Sequence, residues 1–96
     1  MEWSELEAKG IKPYYKDDAV FIIHSDCRLV LPLLPDKSID LVLTDPPYGV
    51  GLKYVSYDDT RENWLALINF IIPEAKRVSS MTIMPCSRIV ELTHIY

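Results

Sequence analysis

Glycine is scarce in this 96-residue sequence, which holds only Gly10, Gly49 and Gly51. Neither a Gly-rich cofactor loop nor a phosphate-cradling loop can be assembled from three glycines so placed. Cysteine is scarcer still. Cys27 and Cys86 stand far apart with no CxxC pairing, a pattern that excludes a disulfide framework and a zinc knuckle and predicts two buried thiols. No apolar run approaches the ~20 residues of a membrane span, because Pro32, Pro35, Pro73 or a charge interrupts each one. Positive charge is also short. The formal net charge of −4 offers no global attraction to nucleic acid, so such a contact needs a local basic patch or a separate basic region. The acidic opening, Met1-Glu2-Trp3-Ser4-Glu5-Leu6-Glu7, leads into no apolar segment and is unlike a secretory leader, so a reducing, cytoplasmic setting is expected. There is no internal repeat and no low-complexity tract.

What is present fits one domain. A chain of this length buries only ~60–65% of its unfolded surface, so its core has little stability to spare. Asp17-Asp18 separates two β-prone stretches and predicts a turn ahead of a strand over 19–24. The run Ala19-Val20-Phe21-Ile22-Ile23 is continuously apolar, as in a central strand covered on both faces. Asp26 then caps a short helix over 27–34 with an apolar side of Leu29, Val30, Leu33 and Leu34, shortened or bent at Pro32. A turn at Asp36-Lys37-Ser38 precedes a second strand over 39–44. Strand, helix and strand make a βαβ pattern and predict the α/β class with a largely parallel sheet, the two strands lying side by side.

Further along, Asp59-Thr60-Arg61-Glu62 has the spacing of a capping box, with Asp59 as N-cap. Trp64, Leu67, Ile68, Ile71, Ala75 and Val78 recur at three- and four-residue steps, the mark of one buried helix face, with a kink expected at Pro73. Lys76 and Arg77 suit the negative end of that helix. A third strand is expected over 81–84, and the start of another element over 87–96.

The most informative residues are Asp45-Pro46-Pro47-Tyr48, which follow the second strand at its carboxyl end, where ligands bind in α/β sheets. Two prolines remove two N–H donors and fix two φ angles, leaving a stiff segment of carbonyl acceptors beside an acceptor-only carboxylate. This donor-free cluster suits a group with two N–H donors, such as the exocyclic amino group of a nucleobase. Gripping both hydrogens favours a pyramidal nitrogen whose lone pair faces an electrophile. Tyr48 offers a flat face for an extruded base. The alternative is a plain strand terminator with a solvated acid and a packed tyrosine.

The run His24-Ser25-Asp26-Cys27, followed by Leu33-Leu34-Pro35-Asp36-Lys37-Ser38-Ile39-Asp40-Leu41-Val42-Leu43-Thr44-Asp45-Pro46-Pro47-Tyr48-Gly49, resembles the S-adenosylmethionine-dependent DNA amino-methyltransferases. The resemblance implies a Rossmann-like sheet with flanking helices, of which this chain is an incomplete part. It implies DNA as partner and adenine N6 as target, since the form of the tetrapeptide with aspartate first is associated with that reaction. By resemblance, Asp45 and the Pro46 carbonyl hold the amino group, Pro47 stiffens the loop and Tyr48 stacks on the flipped base. Asp26, with Cys27 beside it, and Asp45 are the implied cofactor contacts; Ser25 departs from the family's usual glycine. Asp26 as a simple helix cap is compatible with that role.

The motif order is that of the permuted kind, in which target recognition and the Gly-containing cofactor loop come later in the chain. The resemblance therefore implies an N-terminal part, with residues 1–13 as an extension and 14–90 as core segment, inactive when alone. In that arrangement two strands from elsewhere separate those ending near Asp26 and Asp45, and a completing chain or self-association stays open. Methyltransferases acting on RNA or on a protein amide, and a non-catalytic α/β module, are the competing readings. Gly49-Val50-Gly51 reads as a hinge in the substrate loop. His24 and His94 have no third ligand at metal spacing, so no metal is expected. Ser87 shows no nucleophile-elbow pattern. Tyr54 and Tyr57, with Lys53 and Arg61, read as a solvated loop before a nucleic-acid contact.

Overall fold

Six apolar residues at helical spacing become one buried face. In the computed structural model, which describes residues 1–85, the longest element is the helix Arg61–Val78, here α3, and its buried residues are Trp64, Leu67, Ile68, Ile71, Ala75 and Val78. It continues through Pro73 and delivers the chain directly into a strand, Ser79–Ile83. Trp64 and Ile68, each 1% exposed, centre the core, with Leu65, Ile72 and Met84 packed around them.

Ahead of α3 come a short helix α1 (Trp3–Ala8), strands β1 (Tyr15–Lys16) and β2 (Phe21–Ile22), a one-turn helix α2 (Cys27–Val30) running into a 3₁₀ turn at Leu31–Leu33, and strand β3 (Ile39–Leu43); Ser79–Ile83 is β4. The described residues form two small sheets. β3 pairs parallel with β4 in the register Ile39 to Ser79 and Leu43 to Ile83, so β3, α3 and β4 form a βαβ unit. β1 pairs antiparallel with β2. The described residues are thus mixed α/β.

Several expectations change. The strand predicted over 19–24 as central and buried is a two-residue strand in a hairpin, with Val20 43% and Ile22 46% exposed. Asp17 is the reason: its carboxylate accepts from the N–H groups of Ala19 and Val20, both at 2.8 Å, and its own N–H donates to the Val20 carbonyl. A tight turn offers the next strand a partner at minimal loop-closure cost. Trp3 docks the hairpin on α1, donating from Nε1 to the Asp17 carbonyl and meeting the Phe21 ring at 5.5 Å.

The strands on either side of α2 therefore do not pair with each other. α2 buries none of its residues, Leu29 stands 71% exposed, and Cys27 is exposed rather than a buried thiol. A single α-turn ending in a 3₁₀ turn with Pro32 presents no apolar stripe to lay on a sheet. The 18-residue α3 does, and it supplies the crossover instead. Arg77 then staples the unit together, donating to the Leu31 and Leu34 carbonyls and pairing with Asp36 and Glu74. Lys37, at φ 52°, adds bonds from Nζ to the Lys76 and Ser79 carbonyls. The expectations for Cys86, Ser87, His94 and an element over 87–96 lie outside the described residues.

Candidate active site

β3 ends at Leu43, and the Thr44 N–H continues the ladder by donating to the Ile83 carbonyl at 3.1 Å. Asp45-Pro46-Pro47-Tyr48 follows at the carboxyl end of the parallel pair. Asp45 is exposed, Pro46 is buried, and Pro47 and Tyr48 are half-buried. The Tyr48 hydroxyl donates to Asp45 Oδ1 at 2.8 Å. That bond to the carboxylate, with some desolvation, holds the phenol above its ordinary pKa, so it remains a donor through the neutral range.

The chain next turns inward at Gly49, which is buried at φ 73°. A Cβ there would sit 2.7 Å from Cγ of Trp64, so only glycine permits this approach. Asp59 receives the turn. Its carboxylate accepts from the Gly49 N–H at 3.0 Å and the Val50 N–H at 3.1 Å, and the residue is 5% exposed. Asp59 is consequently not the cap expected from the sequence: Thr60 caps α3, its hydroxyl accepting from the Asn63 N–H. Sequence reasoning missed the role of Asp59, although two adjacent cap-forming residues, of which one can cap, were the available signal. Gly49 is packed and pinned rather than a free hinge; Gly51, at φ 80°, has open space around it.

Asp26 caps α2 as expected, accepting from the Arg28 N–H at 2.9 Å. The Arg28 guanidinium returns to the same carboxylate at 2.7 Å, and these bonds to Arg28 hold the carboxyl at a pKa of about 2. A cavity of about 440 Å³ lies beside it, with Ser25, Asp26, Arg28, Pro47, Tyr57 and Leu67 in its lining. The fold thus brings two sequence-predicted residues, Asp26 and Pro47, to one cavity. Asp45, Pro46, Tyr48 and Cys27 are not in its wall. The Tyr57 hydroxyl is shut off from solvent and has no hydrogen-bond partner. Burial, then the nearby Asp59, push its pKa up.

The other candidates are dispersed. Tyr54 and Tyr57 meet edge to face at 6.1 Å, and Lys53 bridges to Asp58 through the backbone, which sets acidic residues beside the two tyrosines. His24 is exposed and packs against the edge of Tyr14. Among the described residues no cluster of His, Cys, Asp and Glu could hold a metal ion, and no helix is long and apolar enough to cross a membrane.

No family model matches the chain, and no solved structure does. Curated relatives do match. The type II methyltransferase M.ScaI of Streptomyces caespitosus is 31% identical over 64 residues, covering 60% of this chain and 21% of that protein. The type II methyltransferase M.MjaVI of Methanocaldococcus jannaschii is 42% identical over 50 residues, covering 52% of this chain and 25% of that protein. The DNA adenine methyltransferase YhdJ of Escherichia coli is 36% identical over 50 residues, covering 52% of this chain and 16% of that protein. The chain spans at most 25% of the length of these relatives. The resemblance to DNA amino-methyltransferases is therefore carried by relatives as well as by motif.

Proposed function

We propose that the protein carrying this chain transfers a methyl group from S-adenosylmethionine to the N6 amino group of adenine in DNA. The observation that carries the reading is the cavity shared by the Asp26 turn and Pro47, next to an acid-Pro-Pro-Tyr segment at the carboxyl end of a parallel strand. The name of one relative, a DNA adenine methyltransferase, supports adenine as the target. On this reading β3, α3 and β4 are one unit of a Rossmann-like sheet, and residues 1–13 are an extension.

The residues around the cavity fit the cofactor. Its volume of about 440 Å³ falls in the range of ligand pockets, ~300–1,000 Å³. A nucleoside needs polar partners at its edge and an apolar wall at its face. Asp26 supplies carboxylate oxygens, and Pro47 and Leu67 supply the apolar wall. When bound, S-adenosylmethionine supplies a methyl group made electrophilic by the sulfonium.

The chain's own part is to prepare the nitrogen. Asp45 and the Pro46 carbonyl accept the two amino hydrogens, which draws the lone pair out of conjugation and aims it away from the acceptors. Pro46 and Pro47 hold these oxygens still, so little reorganisation is required when charge develops. Tyr48 stacks against the extruded base. The test is methyl transfer to duplex DNA by the protein carrying these residues, with Asp45→Ala beside it. Label on N6-methyladenine, lost in the variant while cofactor binding persists, supports the reading. Equal loss of folding and activity would make Asp45 structural, and label on cytosine would move the target.

A further inference from the structure

We infer that Asp59 is the positioning residue of the Asp45-Pro46-Pro47-Tyr48 segment, holding its far end in the place that amino-group capture requires. The inference rests on the reading above and adds a residue that neither motif nor resemblance assigns.

The geometry is a two-point suspension. At its near end the segment is tied to the sheet through the Thr44 N–H on the Ile83 carbonyl. At its far end two successive N–H groups, Gly49 and Val50, converge on the one carboxylate of Asp59. Two adjacent N–H groups form an anion-binding nest only when the backbone turns as it does at Gly49, with positive φ. Between the tethers lie two prolines with fixed φ, so few torsions remain to displace Asp45 or the Pro46 carbonyl.

Asp59 is itself enclosed by the fold. It is 5% exposed and immediately precedes Thr60, the cap of α3, whose first buried residue, Trp64, closes behind Gly49. The buried face of α3 therefore sets the position of Asp59, and Asp59 sets the loop. A carboxyl group suits this place because both of its oxygens accept, whereas a carboxamide offers one acceptor and turns a donor toward the second N–H. A displacement of ~1 Å at a reacting group costs on the order of 100-fold in rate, so a loop tether reaches the chemistry without touching it.

The experiment compares Asp59→Asn and Thr60→Ala with the unchanged protein. Thr60→Ala removes the helix cap one residue away and leaves the Gly49 and Val50 amides bonded, so it reports the effect of lost stability alone. In the protein carrying this chain, hydrogen exchange followed by NMR should show at least a tenfold faster rate at the Gly49 or Val50 amide in Asp59→Asn and no change there, relative to global opening, in Thr60→Ala. In methyl transfer, Asp59→Asn should lower kcat tenfold or more with KM for S-adenosylmethionine within threefold, and Thr60→Ala should keep kcat per folded molecule. Unprotected Gly49 and Val50 amides in the unchanged chain, or a kcat loss no greater than that of Thr60→Ala, would overturn the inference. If the unchanged protein transfers no methyl group, the proposed function fails, and the exchange rates together with the Tyr48 ring shifts still decide whether Asp59 positions the segment.

Discussion

The Tyr48 hydroxyl reaches back across two prolines to donate to Asp45 Oδ1 at 2.8 Å. One oxygen of the acid proposed to grip the amino group is therefore engaged by the tyrosine proposed to stack on the base. The two roles are separable, because the bond uses the hydroxyl and stacking uses the ring. Tyr48→Phe is expected to keep methyl transfer within about threefold. Tyr48→Ala should lose ~5- to 160-fold, since stacking on an aromatic ring contributes ~1–3 kcal/mol per base. Single-turnover transfer on the two variants checks the pair.

Gly49 and Gly51 both have positive φ, at 73° and 80°, but only Gly49 faces a wall. Gly51→Ala should cost ~1–2 kcal/mol, the penalty of the left-handed region alone. Gly49→Ala adds a Cβ at 2.7 Å from Trp64 and should cost ~1–3 kcal/mol more through overpacking. Urea unfolding of the two variants should rank them in that order.

Asp26 contributes an acid-range pH dependence. Its folded pKa of about 2, set first by its bonds to Arg28, lies below its unfolded value, which is ~3.9. The linked stability is therefore fully present above about pH 4 and is lost as pH falls through the folded pKa near 2. The carboxyl carbon shift of Asp26 should titrate with that low midpoint and move up toward the unfolded value in Arg28→Ala.

Arg77 binds the 3₁₀ turn, the 36–38 turn and α3 with one guanidinium, which bonds the Leu31 and Leu34 carbonyls, Asp36 and Glu74. A lysine has no planar fork and cannot serve these partners at once. Arg77→Lys should lower the denaturation midpoint, in line with carbonyls left without donors. Chemical denaturation measures the loss, and β3–β4 amide exchange should rise with it.

The parts of the fold legible in the sequence were those set by local periodicity. The apolar face of α3 repeats every three to four residues, and all six residues expected on it are buried. β3 and the Asp26 cap followed from β-branched runs and from an acid at a helix start. The antiparallel hairpin is not legible in the sequence, because an apolar run such as 19–23 is as consistent with a covered strand as with an open one, and only the available partner decides. Of the candidate site, the stiff, donor-free character of Asp45-Pro46-Pro47-Tyr48 is legible in the sequence, whereas the fact that Pro47 rather than Asp45 lines the cavity beside Asp26 is not.

Residue order along the chain was enough to specify a stiff, donor-free acceptor segment after a strand, because the stiffness resides in two proline rings and the acceptor character in a carboxylate and carbonyls. The fold alone decided which of Asp59 and Thr60 caps α3 and where the other carboxylate goes. A carboxylate takes its partners from whichever N–H groups packing brings within about 3 Å. Here those groups lie ten and nine residues upstream, brought there by Gly49 resting on Trp64.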